Sequence, residues 1–492
     1  MVPNPTKEKG ALVTVVLVFS MIFLILLGSI SSLIIFQYRA SKKKAAYEMA
    51  FHIAEAGINY YRWHLAHAPE DFCDGNPEGS ELCTNIPYGP FEHEYKDPEG
   101  NTIGRFALRI TPPSTCHSAA VIESEGWTLQ FPETKRTVKV KWAKPSLARY
   151  AFLTNSNVWF GEDEELKGPF HSNGGIRMDG EQNSLATSAK ETYICGPEHG
   201  CDAWSCSDPC TWTTSGCECP GIWGEGEGKE LGLWKFPVPA VDFALISRDL
   251  AQLKQDAQSA GFYFGPSGRK GYHIKFLSNG KFELYKVTRL QNPVYGWDGE
   301  KWVEESNSIK RESLLGIYDL PSDCAPIFVE DNLWVSGDVA GRVAVVAAQL
   351  PEIPDEMKKI IIHDNINYVT EDAVLGLISQ SDILIPLYSP NRLEIKAALL
   401  AQKGRVFRYY YPPWPWEPYK TYAIRDYIET YGSIITNKMW TFTWIDGWGN
   451  VISGYRETEM SYNPDLIYEP PPYFPTHGEY EIFQWEEKEP QP

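Results

Sequence analysis

The hydrophobic pattern begins with an uncharged run of 26 residues from Ala11 to Phe36. As a helix this run would be about 39 Å long, enough to cross a bilayer with some tilt. A cleavable secretory signal is the alternative, but its apolar core would be shorter and a small-x-small cleavage site would follow it. Apolar residues then recur three or four positions apart, at Tyr47, Ala50, Phe51, Ala54, Ile58, Tyr61 and Leu65. This spacing predicts one helix over 11–67, membrane-spanning at first and amphipathic afterwards.

From Tyr88 onward the pattern changes to the period of two that is typical of half-buried β-strands. Three segments show the alternation most clearly: Arg105–Ile110, Ala120–Ser124 and Arg136–Trp142. They predict an antiparallel sheet over 68–145 that packs on the amphipathic part of the helix.

Beyond Ser146, short β segments alternate with glycines as far as residue 475. Leu377-Ile378-Ser379-Gln380 recurs as Leu399-Leu400-Ala401-Gln402, and this repeat favours a β-solenoid, with an irregular β-sandwich as the alternative. Within 241–290, helical spacing over 241–261 and a hairpin around Asn279-Gly280 predict a helix–hairpin subdomain. The proline-rich stretch 468–475 should lie extended, and 476–492 should form a flexible tail. The predicted fold class is therefore α+β: a long N-terminal helix, an antiparallel sheet and a large β-rich domain.

Charge narrows the range of partners. The chain has 45 Lys and Arg against 64 Asp and Glu, a formal charge of −19, which argues against a nucleic-acid partner because a phosphate backbone would be repelled at long range. The basic run Lys42–Lys44 lies beside the apolar segment, where contact with lipid headgroups is expected. Counting basic residues on both sides of that segment would place the C-terminal body in the cytoplasm.

The cysteines favour the opposite placement. The ten cysteines are Cys73, Cys83, Cys116, Cys195, Cys201, Cys206, Cys210, Cys217, Cys219 and Cys324, and six of them lie in the polar insert 195–219. A segment with so little apolar material is held by cross-links, and disulfides form outside the cytoplasm. A zinc cluster is the alternative, but no C-x-x-C pair is present. We expect Cys73 and Cys83 to close a small loop, while the pairing of the other cysteines stays open.

Catalytic chemistry is not indicated by any motif. H-E-x-x-H, G-x-x-x-x-G-K-[ST], G-x-S-x-G and the EF-hand spacing do not occur. His171, Ser172 and Asn173 are adjacent, so a strand would direct His171 and Ser172 to opposite faces. The acidic run 162–165 is expected to be a solvated loop because it lacks the alternating spacing of a calcium loop, with calcium binding as the alternative. We expect no enzyme activity, no cofactor and no metal. The alternative, kept open by Trp414, Trp416, Trp440, Trp444 and Trp448, is a membrane-anchored surface hydrolase or carbohydrate-binding protein on a β-solenoid.

Two N-terminal motifs carry a family resemblance. Lys9-Gly10-Ala11-Leu12 resembles the site at which a prepilin peptidase cleaves after glycine. Ala54-Glu55-Ala56-Gly57, preceded by Ala50 and Phe51, resembles the A-F-x-x-A-E-A-G stretch of PilX-like type IV minor pilins. Further along, Glu123-Ser124-Glu125-Gly126 resembles the x-S-x-G turn of their heads. The segments Gly168–Ile176 and Val335–Val343 resemble their long C-terminal extensions, so the resemblance covers most of the chain.

The resemblance implies a function of assembly. A leader over 1–10 would be removed by the peptidase, leaving Ala11 as a methylated N-terminus, and the partners would be other pilins, the pilus or secretion-like assembly machinery and the bilayer through Ala11–Phe36. The body would lie outside the cytoplasm, on the cell surface or pilus, in adhesion. Major pilins have a glutamate at the position of Val15, and its absence here is typical of subunits at a filament tip. The alternative to the pilin interpretation is a generic single-pass membrane anchor with an amphipathic juxtamembrane helix.

Overall fold

A computed structural model describes residues 9–77, 79–114, 116–162, 164–202, 204–243, 250–446, 449–467, 469–476 and 480–488. The chain forms two compact units. The first, called the head, comprises Met1–Pro112, Ala120–Trp142 and Ile482–Pro492, and the second, called the body, comprises Pro113–Ala119 and Ala143–Glu481. The predicted order of a long N-terminal helix followed by mostly β-sheet is confirmed.

Helix α1 is continuous over 59 residues, from Lys9 to His67, and is therefore about 88 Å long. Its apolar side chains from Leu12 to Phe36 are exposed around the whole circumference. Only from Ala46 onward does the helix have a buried face. Pro69 follows the last turn and disfavours the helical conformation of the residue before it, which accounts for the end of the helix.

The head sheet contains β1 (Tyr88–Lys96), β2 (Thr102–Thr111), β3 (Ala120–Thr128) and β4 (Phe131–Ala143). Neighbouring strands are antiparallel in the order β1-β2-β3-β4, and the predicted strand segments lie inside β2, β3 and β4. Along β3, buried and half-buried positions alternate strictly, as one covered sheet face requires.

The C-terminal tail differs from the prediction. Residues Glu481–Lys488 form a strand beside β4 rather than a flexible segment. The unpaired edge of β4 offers a row of backbone hydrogen-bonding groups, which an extended segment can satisfy. Two ion pairs add to this pairing: Arg136 with Glu487, and Lys488 with Glu123. Residues 477–479 and 489–492 of the predicted tail lie outside the described part of the chain.

The first part of the body consists of very short strands and a disulfide-rich excursion. The strands are β5 (Phe152–Thr154), β6 (Val158–Phe160), β7 (Glu165–Leu166), β8 (Phe170–Ser172), β9 (Ile176–Met178), β10 (Glu181–Gln182), β11 (Ala186–Ser188), β12 (Thr192–Cys195), β13 (Thr211–Thr213), β14 (Gly216–Pro220), β15 (Ile222–Trp223) and β16 (Trp234–Lys235). Strands β12, β13 and β14 form a separate antiparallel sheet within the cysteine-rich insert.

The second part of the body has longer strands and two further helices. The elements are α2 (Leu250–Ser259), β17 (Phe262–Phe264), β18 (Gly271–Leu277), β19 (Lys281–Leu290), β20 (Val294–Trp297), β21 (Trp302–Glu305), β22 (Ile309–Asp319), β23 (Ile327–Val329), β24 (Leu333–Val339), β25 (Arg342–Ala347), β26 (Ile360–Tyr368), β27 (Val374–Ser379), β28 (Ile383–Ile385), β29 (Arg392–Ala401), β30 (Val406–Arg408), α3 (Tyr419–Tyr422), β31 (Ile424–Thr436), β32 (Thr443–Ile445) and β33 (Val451–Tyr462); the strand in the tail, Glu481–Lys488, is β34. Helix α2 lies within the segment 241–261, for which a helix is predicted and of which 244–249 lie outside the described residues. The predicted hairpin is β18–β19, and Gly280 in its turn has a φ of +75°, which suits glycine.

Parallel strands are stacked along the body. One stack has the order β17-β23-β25-β27-β29-β31-β5-β8-β11-β16. The repeated tetrapeptides meet in it, because Leu377 pairs with Leu399 and Ile378 with Leu400. The first body strand, β5, lies between β31 and β8, so the chain enters the stack in its interior. A closed solenoid is not seen among the described strands.

Candidate functional site

The candidate site is the amphipathic half of α1 and the head sheet that it covers. Its most buried residues are Ala50, Ile53, Ala54, Tyr61 and Leu65, each at most 2% exposed. Most of them belong to the helical face predicted from the sequence, but Tyr47 and Phe51 are only half-buried. The difference arises because the sheet covers a stripe narrower than the apolar face of the helix.

Glycines set the distance between α1 and the sheet. A Cβ atom on Gly126 of β3 would lie 2.4 Å from the carbonyl oxygen of Ala50 and 2.4 Å from the backbone nitrogen of Ala54. A Cβ atom on Gly57 of α1 would lie 2.2 Å from Oγ of Ser124. Such distances exclude any side chain, so helix and strand approach through the two missing Cβ atoms. The pilin-like motif Ala54–Gly57 is therefore in direct contact with the segment Glu123–Gly126.

The prediction of a turn at Glu123–Gly126 is wrong. The sequence predicts a glycine-relaxed turn, whereas all four residues lie within strand β3. Gly126 lies in neither a turn nor a bend: it pairs regularly with Phe106 on β2 and with Arg136 on β4. Its role is to admit the helix backbone, which strand periodicity alone does not reveal.

The remaining motif residues lie at the edge of the junction, as we call the contact between Ala54–Gly57 of α1 and Glu123–Gly126 of β3. Glu55 is half-buried, and its Oε2 lies 3.2 Å from Nδ1 of His52 on the same helix. Ala56 is half-buried as well. Glu55 therefore takes no part in the helix–sheet contact among the described residues, and its side chain remains available on the helix surface.

Arg136 ties three elements of the head together. Its guanidinium carbon lies 4.4 Å from the ring centroids of both Tyr47 and Phe51 on α1. The same group donates two hydrogen bonds of 2.5 Å to the carboxylate of Glu487 on β34. This contact raises the pKa of the guanidinium further, chiefly through the Glu487 hydrogen bond. A planar, always-charged group suits this combined stacking and bidentate pairing.

The C-terminal end of α1 is fixed by a polar cluster that the sequence analysis missed. Tyr60 donates from its hydroxyl to Oδ1 of Asp74 over 3.1 Å, and Nε2 of His93 lies 2.6 Å from Oδ2 of the same carboxylate. Burial, followed by the charge of Asp74, raises the pKa of Tyr60 to about 12. The adjoining loop is closed by the Cys73–Cys83 disulfide. Histidine and aspartate this far apart in sequence give no local signal, which is why the cluster was not predicted.

The apolar half of α1 contains the predicted cleavage site. Gly10 and Ala11 lie in the first turn of the helix, and residues 1–8 of the predicted leader lie outside the described part. Val15, at the position of the glutamate of major pilins, is 52% exposed. By length and composition, α1 is the helix among the described residues that can cross a membrane.

Every cysteine is in a disulfide. The pairs are Cys73–Cys83, Cys116–Cys324, Cys195–Cys201, Cys206–Cys217 and Cys210–Cys219. Several sulfur atoms of the insert lie close enough together to resemble a metal cluster. A metal ligand must be a thiolate, however, and a disulfide sulfur is not one. The structure thus favours cross-links over zinc in this insert.

The polar groups considered for catalysis do not form a nucleophile–base pair. His171 contacts Oγ1 of Thr187 at 2.8 Å and Oδ1 of Asn173 at 3.0 Å, whereas the Ser172 hydroxyl donates to the carbonyl oxygen of Ser156. In the acidic run 162–165, Glu164 accepts from the backbone of Gly161, and Asp163 lies outside the described residues.

The described tryptophans among these candidates do not line one groove. Trp440 is 7% exposed and packs in the body core against Phe152, with 5.4 Å between ring centroids. Trp414 and Trp416 stack on each other at 5.1 Å, and Trp444 donates its indole N–H to the carbonyl oxygen of Arg408. Trp448 lies outside the described residues. A body cavity of about 550 Å³ is lined by proline, serine and aromatic residues, with no carboxylate among those described.

The fold and the junction together define a class of protein with one long N-terminal helix, apolar in its first half, followed by a mostly β part. No protein-family model matches the chain, and no curated protein matches it. Among solved structures, the chain is similar to the competence-associated pilin ComZ from Thermus thermophilus. The two are 13% identical, and the alignment covers 90% of this chain and 98% of ComZ with a TM-score of 0.29. A likeness at that score establishes neither a shared family nor a shared function.

Proposed function

We propose that this chain is a non-enzymatic minor pilin or pseudopilin-like subunit of a type IV pilus or a type II secretion-like filament. The observation that carries the proposal is the division of α1 into two halves. One half is apolar around its whole circumference and is exposed, while the other half is packed on a small antiparallel sheet through the Ala54–Gly57 motif. A single helix built in this way can pass from the bilayer into a helical filament without changing its contacts to the head.

The exposed half needs an apolar environment. Leu12, Phe19 and Phe36 are each at least two-thirds exposed, and leaving such side chains in water costs about 1.5–3 kcal/mol each. Lipid satisfies this requirement before assembly, and the apolar helices of neighbouring subunits satisfy it in a filament. The partners in this proposal are therefore the bilayer and other pilin subunits, together with the assembly machinery.

Processing and position are parts of the same proposal. Prepilin peptidase cleaves after Gly10 on the cytoplasmic side, and Ala11 becomes the N-terminus. Val15 provides no carboxylate to pair with the N-terminal amine of a neighbour, which supports a place at the filament tip. The disulfides support a body outside the cytoplasm, where its stacked parallel strands take part in adhesion.

The test is the intact mass and N-terminal sequence of the full chain from membranes, expressed with and without a prepilin peptidase. We expect the chain to begin at Ala11 only when the peptidase is present. Gly10→Val should block this change, and the matched control Gly28→Val, within the same apolar run, should be processed normally. If the N-terminal residues remain attached in the presence of an active peptidase, the pilin assignment fails and a permanent surface anchor takes its place.

A further inference from the structure

A buried and a half-buried imidazole face each other on the body sheet. His273 lies on β18, Ser336 on β24 and His363 on β26, and these three strands are parallel neighbours. The pairing of β24 with β26 is irregular between Val335 and Gly337. This irregularity occurs at Ser336 and brings its side chain to the histidines.

The distances between these groups are short. Nε2 of His273 lies 3.2 Å from Nε2 of His363 and 2.9 Å from Oγ of Ser336. On the other side of the ring, Nδ1 of His273 lies 2.9 Å from Oε2 of Glu312 on β22. The ring of Tyr285 stacks on His273 with 5.5 Å between centroids. The His273 imidazole is thus held in one orientation by a carboxylate and an aromatic ring.

The protons in this group can be assigned from its partners. An ionised carboxylate only accepts hydrogen bonds, so the His273 proton is on Nδ1, facing Glu312, and Nε2 has a lone pair. The Ser336 hydroxyl can donate to that lone pair, and Nε2 of His363 lies 3.2 Å from the same nitrogen. A cation between the two imidazoles would be bound by one lone pair from each ring.

The arrangement fits a tetrahedral metal site. Zinc–nitrogen bonds of about 2.0–2.1 Å place two ligand nitrogens about 3.3 Å apart, close to the 3.2 Å between the two Nε2 atoms. A histidine ligand that donates its other N–H to a carboxylate is the usual orientation in such sites, and Glu312 accepts in this way. His363 is half-buried, which leaves one side open for water as a further ligand.

A serine nucleophile is the competing interpretation, because Ser336, His273 and Glu312 also have the spacing of a Ser–His–Glu triad. Ser336 is 4% exposed and His273 is 3% exposed. A hydroxyl at that depth is not accessible to a substrate carbonyl, whereas a small metal ion can reach the imidazoles from the side of half-buried His363.

The geometry points to a binding site for a first-row transition-metal ion, with zinc as the best-fitting example, formed by His273 and His363 with Ser336 at its side and Glu312 orienting His273. The site lies in the body and is independent of the membrane helix and of the proposed assembly function. Its ligands are nitrogen-rich, which favours zinc, copper or nickel over calcium or magnesium.

The test uses the oxidised full chain in detergent, freed of metal by a chelator and then titrated with zinc ions by calorimetry. We expect about one equivalent bound per chain, as one site requires. His363→Ala should abolish binding, and Glu312→Gln should weaken it roughly 10–100-fold, the usual effect of losing a carboxylate behind a histidine ligand. The matched control is His117→Ala, because His117 also pairs with a glutamate, Glu469, but has no second imidazole beside it in the described part of the chain.

Binding of cobalt in place of zinc distinguishes the loss of metal ligands from a loss of folding in these variants. Tetrahedral cobalt has intense visible absorption, which should appear with the wild-type chain and the His117 variant and should be absent with His363→Ala. The circular dichroism of the metal-free variants shows whether each remains folded. A wild-type chain that binds no zinc or cobalt would overturn the inference, and so would equal binding by wild type and His363→Ala. Labelling of Ser336 by a fluorophosphonate, without metal binding, would show a nucleophile in place of a metal site.

Discussion

Replacing Gly126 with alanine tests whether the close approach of helix and sheet holds the head together. The new Cβ atom would lie 2.4 Å from backbone atoms of Ala50 and Ala54. Ordinary contact begins near 3.4 Å, so α1 has to retreat from β3 by about 1 Å, and a gap of that size removes up to about half of the dispersion energy of the atoms facing it. Overpacking of this kind costs about 1–3 kcal/mol, and we expect the upper end because both opposing atoms belong to the backbone.

Part of this loss is offset, since glycine within a strand is itself less favourable than alanine by about 0.5–1 kcal/mol. The net destabilisation is therefore about 2 kcal/mol, which corresponds to a fall in Tm of roughly 4–8 °C for a unit of this size. The assay is thermal unfolding of the full chain in detergent, combined with hydrogen exchange read by mass spectrometry. Amides of 50–61 and of β3 should lose protection, while amides of the body should keep theirs.

The matched control is Gly28→Ala on the exposed half of the same helix, where a Cβ atom would meet nothing within 4 Å. That change should leave the head intact and stabilise the helix by up to about 1 kcal/mol. If Gly126→Ala unfolds at the wild-type temperature with unchanged protection at the junction, the reasoning from close approach is refuted.

Three further predictions concern the head and the body. Gly57→Ala should destabilise the head, and Ser124→Ala should partly rescue it, with a coupling of about 1 kcal/mol in a double-mutant cycle; additive effects would contradict the contact. Arg136→Ala should destabilise the head by about 1–2 kcal/mol and expose the amides of β34, whereas a loss of protection limited to other strands would count against its link to Glu487. Burial lowers the pKa of His171 below its ordinary 6.5, so the folded state binds fewer protons than the unfolded state. The contribution of His171 to stability is therefore complete above pH 6.5 and should decline below it. Chemical denaturation between pH 7 and pH 5 should show a smaller decline for His171→Gln than for the wild type, and an equal decline would refute this cause.

The helix could be predicted from sequence because its signal is local. An uncharged run covers 11–36 and a helical period continues to residue 67, and both patterns can be recognised without knowing the partners of these residues. The strands of the head were predictable for the same reason, since alternation along β2, β3 and β4 needs no knowledge of their partners. The tail escaped prediction because β34 is stabilised by a partner, β4, that lies more than three hundred residues earlier in the sequence.

In the body, local sequence patterns predict some strand neighbours but not the order of all strands. The tetrapeptide repeat at Leu377 and Leu399 predicts which residues become neighbours, and they pair in that register. No repeat indicates that β5 lies between β31 and β8, because that order depends on where the chain enters the stack. The histidine pair His273 and His363 is hidden in the same way, since its residues become neighbours only through the pairing of β18, β24 and β26.

The two glycines at the junction show why a motif can be recognised while its role is misjudged. Gly57 and Gly126 lie on different elements, and each is tolerated poorly by its own element, because glycine weakens both helices and strands. A prediction from the neighbouring sequence alone therefore assigns Gly126 to a turn, where glycine is favourable. The local destabilisation by each glycine is offset, because each missing Cβ atom allows the opposite element to approach and the buried face of α1 then packs closely on the sheet. Unfavourable glycines on two amphipathic elements are thus a signal for close contact between them, and the signal is read only when the two are considered together.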